Sequence, residues 1–206
     1  MRIFGHYSLL GFTLFLLLQI GCKENPIQTV EVRDDEGRLE RYQWHKQDSV
    51  REGRYQKFSA AEILLEEATY HQDLLEGEKK YFYPNGNVES IETYKNGQLN
   101  GKYRKFFEDG KISIEQDFAN GAMQGFSIRY YPNGTIQERV TMVENEEQGP
   151  FQEYYDNGVL KTEGTYAPSE TESALEQGEL KEYDETGQLV RIADCKDGRC
   201  TTRLKQ

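Results

Sequence analysis

The side chains that most often take part in catalysis or metal binding are few in this sequence and do not form a known pattern. The three histidines are His6, His45 and His71, and none lies in a cluster with metal-ligand spacing. Acidic pairs such as Glu66-Glu67 lack the ligand spacing of a calcium loop. Motifs of serine hydrolases, zinc peptidases and nucleotide-binding loops are absent. The sequence therefore predicts no enzyme activity, no metal site and no cofactor.

Composition and charge exclude two broad classes of function. The chain has 25 basic and 36 acidic residues, which gives a formal net charge of −11 over 206 residues. A nucleic-acid-binding protein needs a basic surface, so we expect no nucleic-acid partner. The hydrophobic share of 36% is too low for a protein with several membrane spans, whereas 14 tyrosines and 10 phenylalanines are unusual for a disordered chain.

The N-terminal segment has the pattern of an export signal. An apolar run of about 12 residues, from Leu9 to Ile20, follows the basic residue Arg2. It is too short to span a bilayer as a helix and is typical of a secretory signal. The run ends at Gly21-Cys22, which resembles a bacterial lipoprotein signal whose cysteine is lipidated and becomes the new N-terminus.

This resemblance predicts a lipoprotein signal peptide over 1–21, lipidation of Cys22 and a short tether over 22–28. An ordinary signal peptide with an incidental cysteine is the alternative. Lipidation implies a protein anchored to a membrane of the bacterial cell envelope, which is the outer membrane in a Gram-negative cell. A net negative charge makes electrostatic binding to anionic lipid unfavourable, so we expect the lipid anchor to hold the protein at the membrane.

Export also bears on Cys195 and Cys200, which flank the turn sequence Asp197-Gly198. In an oxidising compartment two cysteines five residues apart can close a small disulfide loop, and two free thiols are the alternative. We favour the disulfide. Because the closed loop is short, its expected entropic contribution to stability is modest.

Two series of glycines recur with a period of 24 residues and are expected to mark turns. The last interval in each series is 29 residues instead, which places one five-residue insertion within 167–177. A period of this length is typical of a repeat protein. The two series are Gly53, Gly77, Gly101, Gly125, Gly149 and Gly178, and Gly86, Gly110, Gly134, Gly158 and Gly187.

Each unit has the pattern of a β-hairpin. Apolar residues recur at 5, 11 and 17 positions after the first glycine, as in Phe106, Ile112 and Phe118. The even difference between the last two offsets predicts that both side chains lie on one face of a strand. Asn-Gly and Asp-Gly pairs bound the short runs, and Tyr-Pro-Asn-Gly predicts a type I turn followed by a left-handed glycine.

These patterns predict an all-β fold in which tandem β-hairpins form one elongated, twisted antiparallel sheet. A single hairpin is not stable alone, so neighbouring hairpins are expected to pair edge to edge. The sheet is expected over 29–192, as six to seven units, with a C-terminal cap or tail over 193–206. Residues 59–75 leave two alternatives. Ser59 to Glu62 has the pattern of a helix capping box, whereas Leu64 and Tyr70 keep the β register, and we favour a hairpin.

A second aromatic row is the candidate binding surface. It occupies the sixth position after the first glycine, next to the aromatic residues at position five, and is therefore expected on the opposite face of the sheet. Aromatic residues are frequent among the residues that dominate protein–protein binding. Packing within each hairpin is the alternative. The row consists of Tyr83, Phe107, Tyr131 and Tyr155.

The repeat pattern resembles a known family. It reads Gly-x-x-x-x-Tyr/Phe-Tyr/Phe-x-Asn-Gly-x-Leu/Ile, ends in Tyr-x-x-Gly and covers about 28–192. This resembles the MORN repeat in its bacterial variant form, which the YwqK-family antitoxins also contain. The resemblance implies a sheet of hairpins that acts as a non-enzymatic scaffold for a protein partner. An antitoxin or immunity-like protein that neutralises a toxin is the alternative, since fold alone does not determine activity.

Overall fold

The structure is a computed structural model that describes residues 26–168 and 174–205. All regular elements in these two ranges are β-strands, which confirms the predicted all-β class. Within the same ranges no helix is long and apolar enough to cross a membrane. The strands are β1 (Ile27–Arg33), β2 (Leu39–His45), β3 (Val50–Phe58), β4 (Leu64–His71), β5 (Leu74–Leu75), β6 (Gly77–Phe82), β7 (Val88–Lys95), β8 (Gln98–Phe106), β9 (Ile112–Ala119), β10 (Ala122–Tyr130), β11 (Ile136–Val143), β12 (Glu146–Tyr154), β13 (Leu160–Ala167), β14 (Leu175–Glu176), β15 (Gly178–Tyr183), β16 (Leu189–Lys196) and β17 (Arg199–Lys205).

The strands form one antiparallel sheet in which each strand pairs with its neighbours along the chain. β5 and β6 both pair with β4, and β14 and β15 both pair with β13. The sheet is not closed, and β1 and β17 are its edges among the described strands. β17 contains three basic residues among its seven. The antiparallel pairing of successive strands confirms the predicted tandem array of hairpins.

The turn within each hairpin has the predicted form. In Tyr83-Pro84-Asn85-Gly86 the Gly86 N–H donates to the Tyr83 carbonyl at 2.9 Å, and Gly86 has a φ of 89°. This is a type I turn closed by a residue in the left-handed region, where glycine has no steric penalty. Residues 59–75 also form a hairpin, with Glu62 at a φ of 60° in the glycine position, which confirms the favoured alternative.

A second type of turn connects one hairpin to the next. Asn96 and Gly97 both have positive φ, at 50° and 77°, as a two-residue type I′ turn requires. The Gly97 N–H donates to the carbonyl of Leu75 at 2.9 Å, so this turn is bonded to the preceding hairpin. The turn at Asn120-Gly121 repeats the contact, with Gly121 N–H donating to Leu99 O at 2.8 Å.

The first glycine series is not in turns, which corrects the sequence prediction. Gly101 lies inside β8 with a φ of 122°. There the register jumps from the pair Tyr94–Leu99 to the pair Glu92–Tyr103, so β8 bulges opposite Thr93. A Cβ on Gly101 would lie 3.1 Å from the Thr93 Cβ, and the Thr93 hydroxyl donates to the Lys102 carbonyl at 2.9 Å. Gly101 thus permits a bulge between two hairpins, and the Thr93 hydroxyl satisfies the Lys102 carbonyl there.

A second bulge, in β9, makes one sequence prediction wrong: the apolar residues 11 and 17 positions after the first glycine do not lie on the same face of the sheet. Lys105 pairs with Ile114 and Phe106 pairs with Ile112, so Ser113 is an extra residue in β9. One extra residue shifts the alternation of side chains by one position. Ile112 therefore shares a face with Phe106, whereas Phe118 lies on the other face. The Phe118 ring contacts Tyr103 there, with ring centroids 6.4 Å apart.

We call the face that bears Tyr103 and Phe118 the core face, and the other the outer face. The buried apolar cluster lies on the core face in the C-terminal half of the sheet, and within it Phe151 stacks on Tyr166 at a centroid distance of 4.2 Å. Its residues occupy positions 2, 15 and 17 of each unit rather than positions 5 and 11. The cluster comprises Val140, Met142, Phe151, Leu180, Ala193 and Cys195.

Gly164 leaves the space that this cluster fills. It pairs directly with Phe151. A Cβ on Gly164 would lie 2.8 Å from Cε1 of Phe151 and 2.9 Å from Cδ1 of Leu180, closer than side-chain carbons approach. Unlike the periodic glycines, Gly164 has no positive φ, so its role is to admit two larger neighbours.

Gly164→Ala is expected to lower the free energy of unfolding by about 1–3 kcal/mol, because the added methyl group overpacks the core face. Thr165→Ala is the control, since Thr165 is exposed in the same strand and its replacement should change stability by at most about 0.5 kcal/mol. Urea denaturation measures both. Equal stability of Gly164→Ala and the wild type would show that the core face can accommodate the added methyl group.

Candidate functional site

The predicted aromatic row lies along one edge of the sheet, at the turns within the hairpins. Tyr131 is the first residue of its turn. Its N–H donates to the Thr135 carbonyl at 2.9 Å, and its carbonyl accepts from the Gly134 N–H at 2.8 Å. Tyr83, Phe107 and Tyr155 hold the same position in their hairpins. We call this line of turns the turn edge.

Three of these four side chains join successive hairpins. The Tyr131 hydroxyl donates to the carbonyl of Tyr154, one unit further along the chain, at 2.9 Å. Tyr83 and Tyr155 make the equivalent bonds to Phe106 O at 2.7 Å and to Tyr183 O at 2.9 Å. Desolvation, with the carboxylates of Glu89 and Glu108 nearby, raises the pKa of the Tyr83 hydroxyl. Phe107 has no hydroxyl and makes no such bond.

Asparagine side chains reinforce the same junctions. The Asn87 amide donates to the Glu108 carbonyl at 2.8 Å, and Asn133 donates to the Asp156 carbonyl at 2.7 Å. Asn157 repeats the contact with Glu185 O at 3.0 Å. The turn edge is therefore fixed by hydrogen bonds from unit to unit. Sequence reasoning missed these bonds, although the recurrence of a tyrosine at Tyr83, Tyr131 and Tyr155, and of Asn133 and Asn157 one period apart, was a usable sign.

A concave pocket of about 470 Å³ opens at the middle of the turn edge. It brings together three of the four predicted residues, Tyr83, Phe107 and Tyr131, whereas Tyr155 does not line it. The pocket is mainly apolar, and both of its charged lining residues are basic. Its other lining residues are Lys105, Phe106, Ser113, Ile114, Arg129, Tyr130, Pro132 and Gln137.

The two basic residues at this pocket have distant acidic partners. Lys105 Nζ lies 3.8 Å from Glu89 Oε1, and Arg129 Nη1 lies 3.4 Å from Glu138 Oε2. The two cations are exposed, and ion pairs of this length near the surface contribute little to stability. A ligand could therefore compete for either cation at little cost. The combination of aromatic walls and two cations suits a partner surface with an apolar anchor.

The residues considered for catalysis are not assembled into a site. The ring nitrogen Nδ1 of His71 lies 2.9 Å from Glu52 Oε1, and this hydrogen bond raises the pKa of His71 and lowers that of Glu52. His45 forms a similar pair with Asp48 at 2.9 Å. In the parts of the chain that the structure describes, no group of three or more His, Cys, Asp or Glu side chains is placed to hold a metal ion. His45 and His71 thus take part in contacts at the ends of strands.

The predicted cysteine sites fall in two parts of the chain. Cys195 in β16 lies opposite Cys200 in β17, and their sulfur atoms are joined at 2.01 Å. The pair ties the last strand of the sheet to its neighbour. Cys22, the predicted lipidation site, and the signal peptide over 1–21 lie outside the described residues.

Comparison with known proteins identifies the repeat. A family model described as "MORN repeat variant" matches residues 75–96, 99–120, 125–144, 147–167 and 176–195, about half of the chain. Among the curated proteins none matches. Solved structures that match include a porin-like protein from Bacteroides uniformis ATCC 8492, with 10% identity, a TM-score of 0.25 and coverage of 85% of this chain and 91% of that chain. A TM-score this low does not establish a shared fold.

Tyr131→Phe is expected to lower the free energy of unfolding by about 0.5–1.5 kcal/mol, because one hydrogen bond between successive hairpins is lost. Phe107→Tyr makes the reverse change, since it places a hydroxyl where the neighbouring units have one, and should raise stability by a similar amount. Chemical denaturation measures both variants. A Tyr131→Phe protein as stable as the wild type would show that the hydroxyl does not hold the hairpins together.

Proposed function

We propose that this chain, which belongs to the MORN repeat variant family, is a non-enzymatic scaffold that holds a protein partner at the turn edge of its sheet. The observation that supports this most directly is the pocket of about 470 Å³ lined by Tyr83, Phe107 and Tyr131. MORN repeats are generally non-catalytic, and the described residues contain no group of three or more His, Cys, Asp or Glu side chains placed to hold a metal ion.

The turn edge has the physical properties of a recognition surface. Its backbone is fixed by hydrogen bonds between hairpins, so little conformational entropy is lost on binding. Aromatic rings supply contact area with few rotatable bonds. Lys105 and Arg129 add charges that orient a partner.

The proposal includes a lipid anchor at Cys22 in the cell envelope. The first strand begins at Ile27, five positions after Cys22. A fully extended chain spans at most about 3.6 Å per residue, so an anchored Cys22 would keep β1 within roughly 20 Å of the membrane surface. The scaffold would then present its partner close to the membrane.

A toxin-neutralising protein is the second candidate. The net charge of −11 is complementary to a basic toxin. If the chain is exported, such a toxin would have to be met outside the cytoplasm. A captured partner that is basic, and whose toxicity this chain relieves, would favour this role over that of a scaffold.

Capture of a partner tests the turn edge. Cross-linking followed by pull-down from the native cell envelope should recover a partner, and replacing Tyr131 with Ser should reduce recovery about tenfold, as for a central contact residue. Tyr131→Phe keeps the ring and separates lost contact from lost stability. Val32→Ser is the matched control, because Val32 is 49% exposed in β1, far along the sheet from the pocket. Unchanged recovery with folded Tyr131→Ser would remove the turn edge as the binding surface.

The anchor is tested by Cys22→Ser. We expect the wild-type protein to fractionate with membranes and the variant to be released, because a serine cannot accept the lipid through a thioether. Cys195 and Cys200 are unchanged in this variant, so the sheet itself is not altered. Identical fractionation of the two proteins would refute the anchor without affecting the proposal for the turn edge.

A further inference from the structure

At one position on the outer face, a basic residue stands where the units on either side have an acidic residue. At position 14 of their units, Glu115 and Glu163 are acidic and have partners within the sheet. Glu115 pairs with Arg104 at 2.9 Å, and Glu163 accepts from the Tyr183 hydroxyl at 2.9 Å. The unit between them has Arg139 at this position.

Arg139 has no acidic partner among the described residues. Its cross-strand neighbours are Ile128 and Gln152, neither of which is charged. Its Nε is buried without a hydrogen bond. No carboxylate in the described part of the chain compensates its charge, so its Nη groups gain more from an added anionic acceptor than those of a paired arginine do.

An apolar surface lies beside this guanidinium. The Arg139 Cζ stands 3.9 Å from the ring centroid of Phe126, which orients the guanidinium plane. Phe126 is itself 42% exposed. A depression of about 370 Å³ is formed by both residues together with Thr141, Pro150 and Gln152, and no carboxylate lines it.

These features define the chemistry of a ligand. A carboxylate next to Arg139 would form charge-assisted hydrogen bonds with its Nη groups. An apolar group next to that carboxylate would cover the exposed parts of Phe126 and Pro150. A phosphate would satisfy the charge but leave the apolar surface exposed, so a carboxylate joined to an aliphatic group fits better.

We propose that Arg139 and Phe126 form a binding site for an acidic peptide segment of a partner protein, in which a carboxylate lies beside an aliphatic side chain. The site is separate from the turn edge. Ile128 shares the face of Arg139, whereas its chain neighbour Arg129, which lines the turn-edge pocket, lies on the core face. The sheet would therefore have two binding surfaces, one on each face.

A fragment pair tests the proposal on the full chain. N-acetyl-leucine has the carboxylate and the aliphatic group, and N-acetyl-leucinamide has the same shape without the charge. In ¹⁵N-resolved NMR titrations we expect the acid, at millimolar concentrations, to shift the Nε–H signal of Arg139 and the backbone signals of Phe126 and Thr141. The amide should bind about tenfold more weakly or not at all, as expected for the loss of charged hydrogen bonds.

Two arginine variants distinguish this site from a general effect of charge. Arg139→Gln should weaken binding of the acid about tenfold. Arg104→Gln is the matched control, because Arg104 lies on the same outer face but is paired with Glu115, and it should leave binding unchanged. Phe107→Ser should also leave binding unchanged, because Phe107 lines the turn-edge pocket and not this depression, and this separates the proposal from that for the turn edge.

Three outcomes would overturn the proposal. They are equal shifts from acid and amide, no shift at Arg139 with the acid, and equal losses of binding in Arg139→Gln and Arg104→Gln. The comparison of acid and amide uses the wild-type protein alone, so it decides the matter even if Arg139→Gln does not fold.

Discussion

Every hairpin in this protein depends on hydrogen bonds to its neighbours. A two-stranded hairpin has too little buried area to be stable alone, and the sheet has no second layer of helices or strands to cover it within the described residues. Stability must therefore come from contacts that recur from one unit to the next. The type I′ turn after β7 donates from Gly97 to Leu75, and at the other end of the β6–β7 hairpin Tyr83 donates to Phe106. These two kinds of bond fix successive hairpins at both ends. The apolar cluster around Phe151 then adds burial where the C-terminal units provide large side chains.

Much of this architecture could be predicted from the sequence because turns are encoded locally. The left-handed φ of Gly86 and the paired positive φ of Asn96 and Gly97 follow from the residue types alone. The faces of the strands could not be predicted in the same way, because a bulge such as that at Ser113 inserts a residue without leaving a clear composition signal. For the same reason the role of Gly101 as a bulge residue was not apparent. The non-periodic Gly164 depends on two side chains in other strands, Phe151 and Leu180, and no local pattern shows them.

The candidate site, like the fold, could be predicted only in part from the sequence. The period of the sequence located the aromatic row, and the structure gathers three of its four members around one pocket. The row was expected to serve recognition, yet its hydroxyls also hold the sheet together. Tyr83 and Tyr131 thus line the pocket while their hydroxyls are engaged within the protein. Arg139 was not noticed in the sequence, because an unpaired arginine differs from a paired one only through its three-dimensional neighbours.

The C-terminal edge strand has a consequence for how copies of the protein behave when crowded on one surface. An open sheet edge offers free backbone groups to any other extended chain, and proteins with long edges are prone to stick together. In β17 three of seven residues are basic, and the Cys195–Cys200 link holds the strand on β16. Two such edges that approach each other meet like charges, which opposes pairing between them. Crowding of the protein in a small area therefore does not favour association of two copies through this strand.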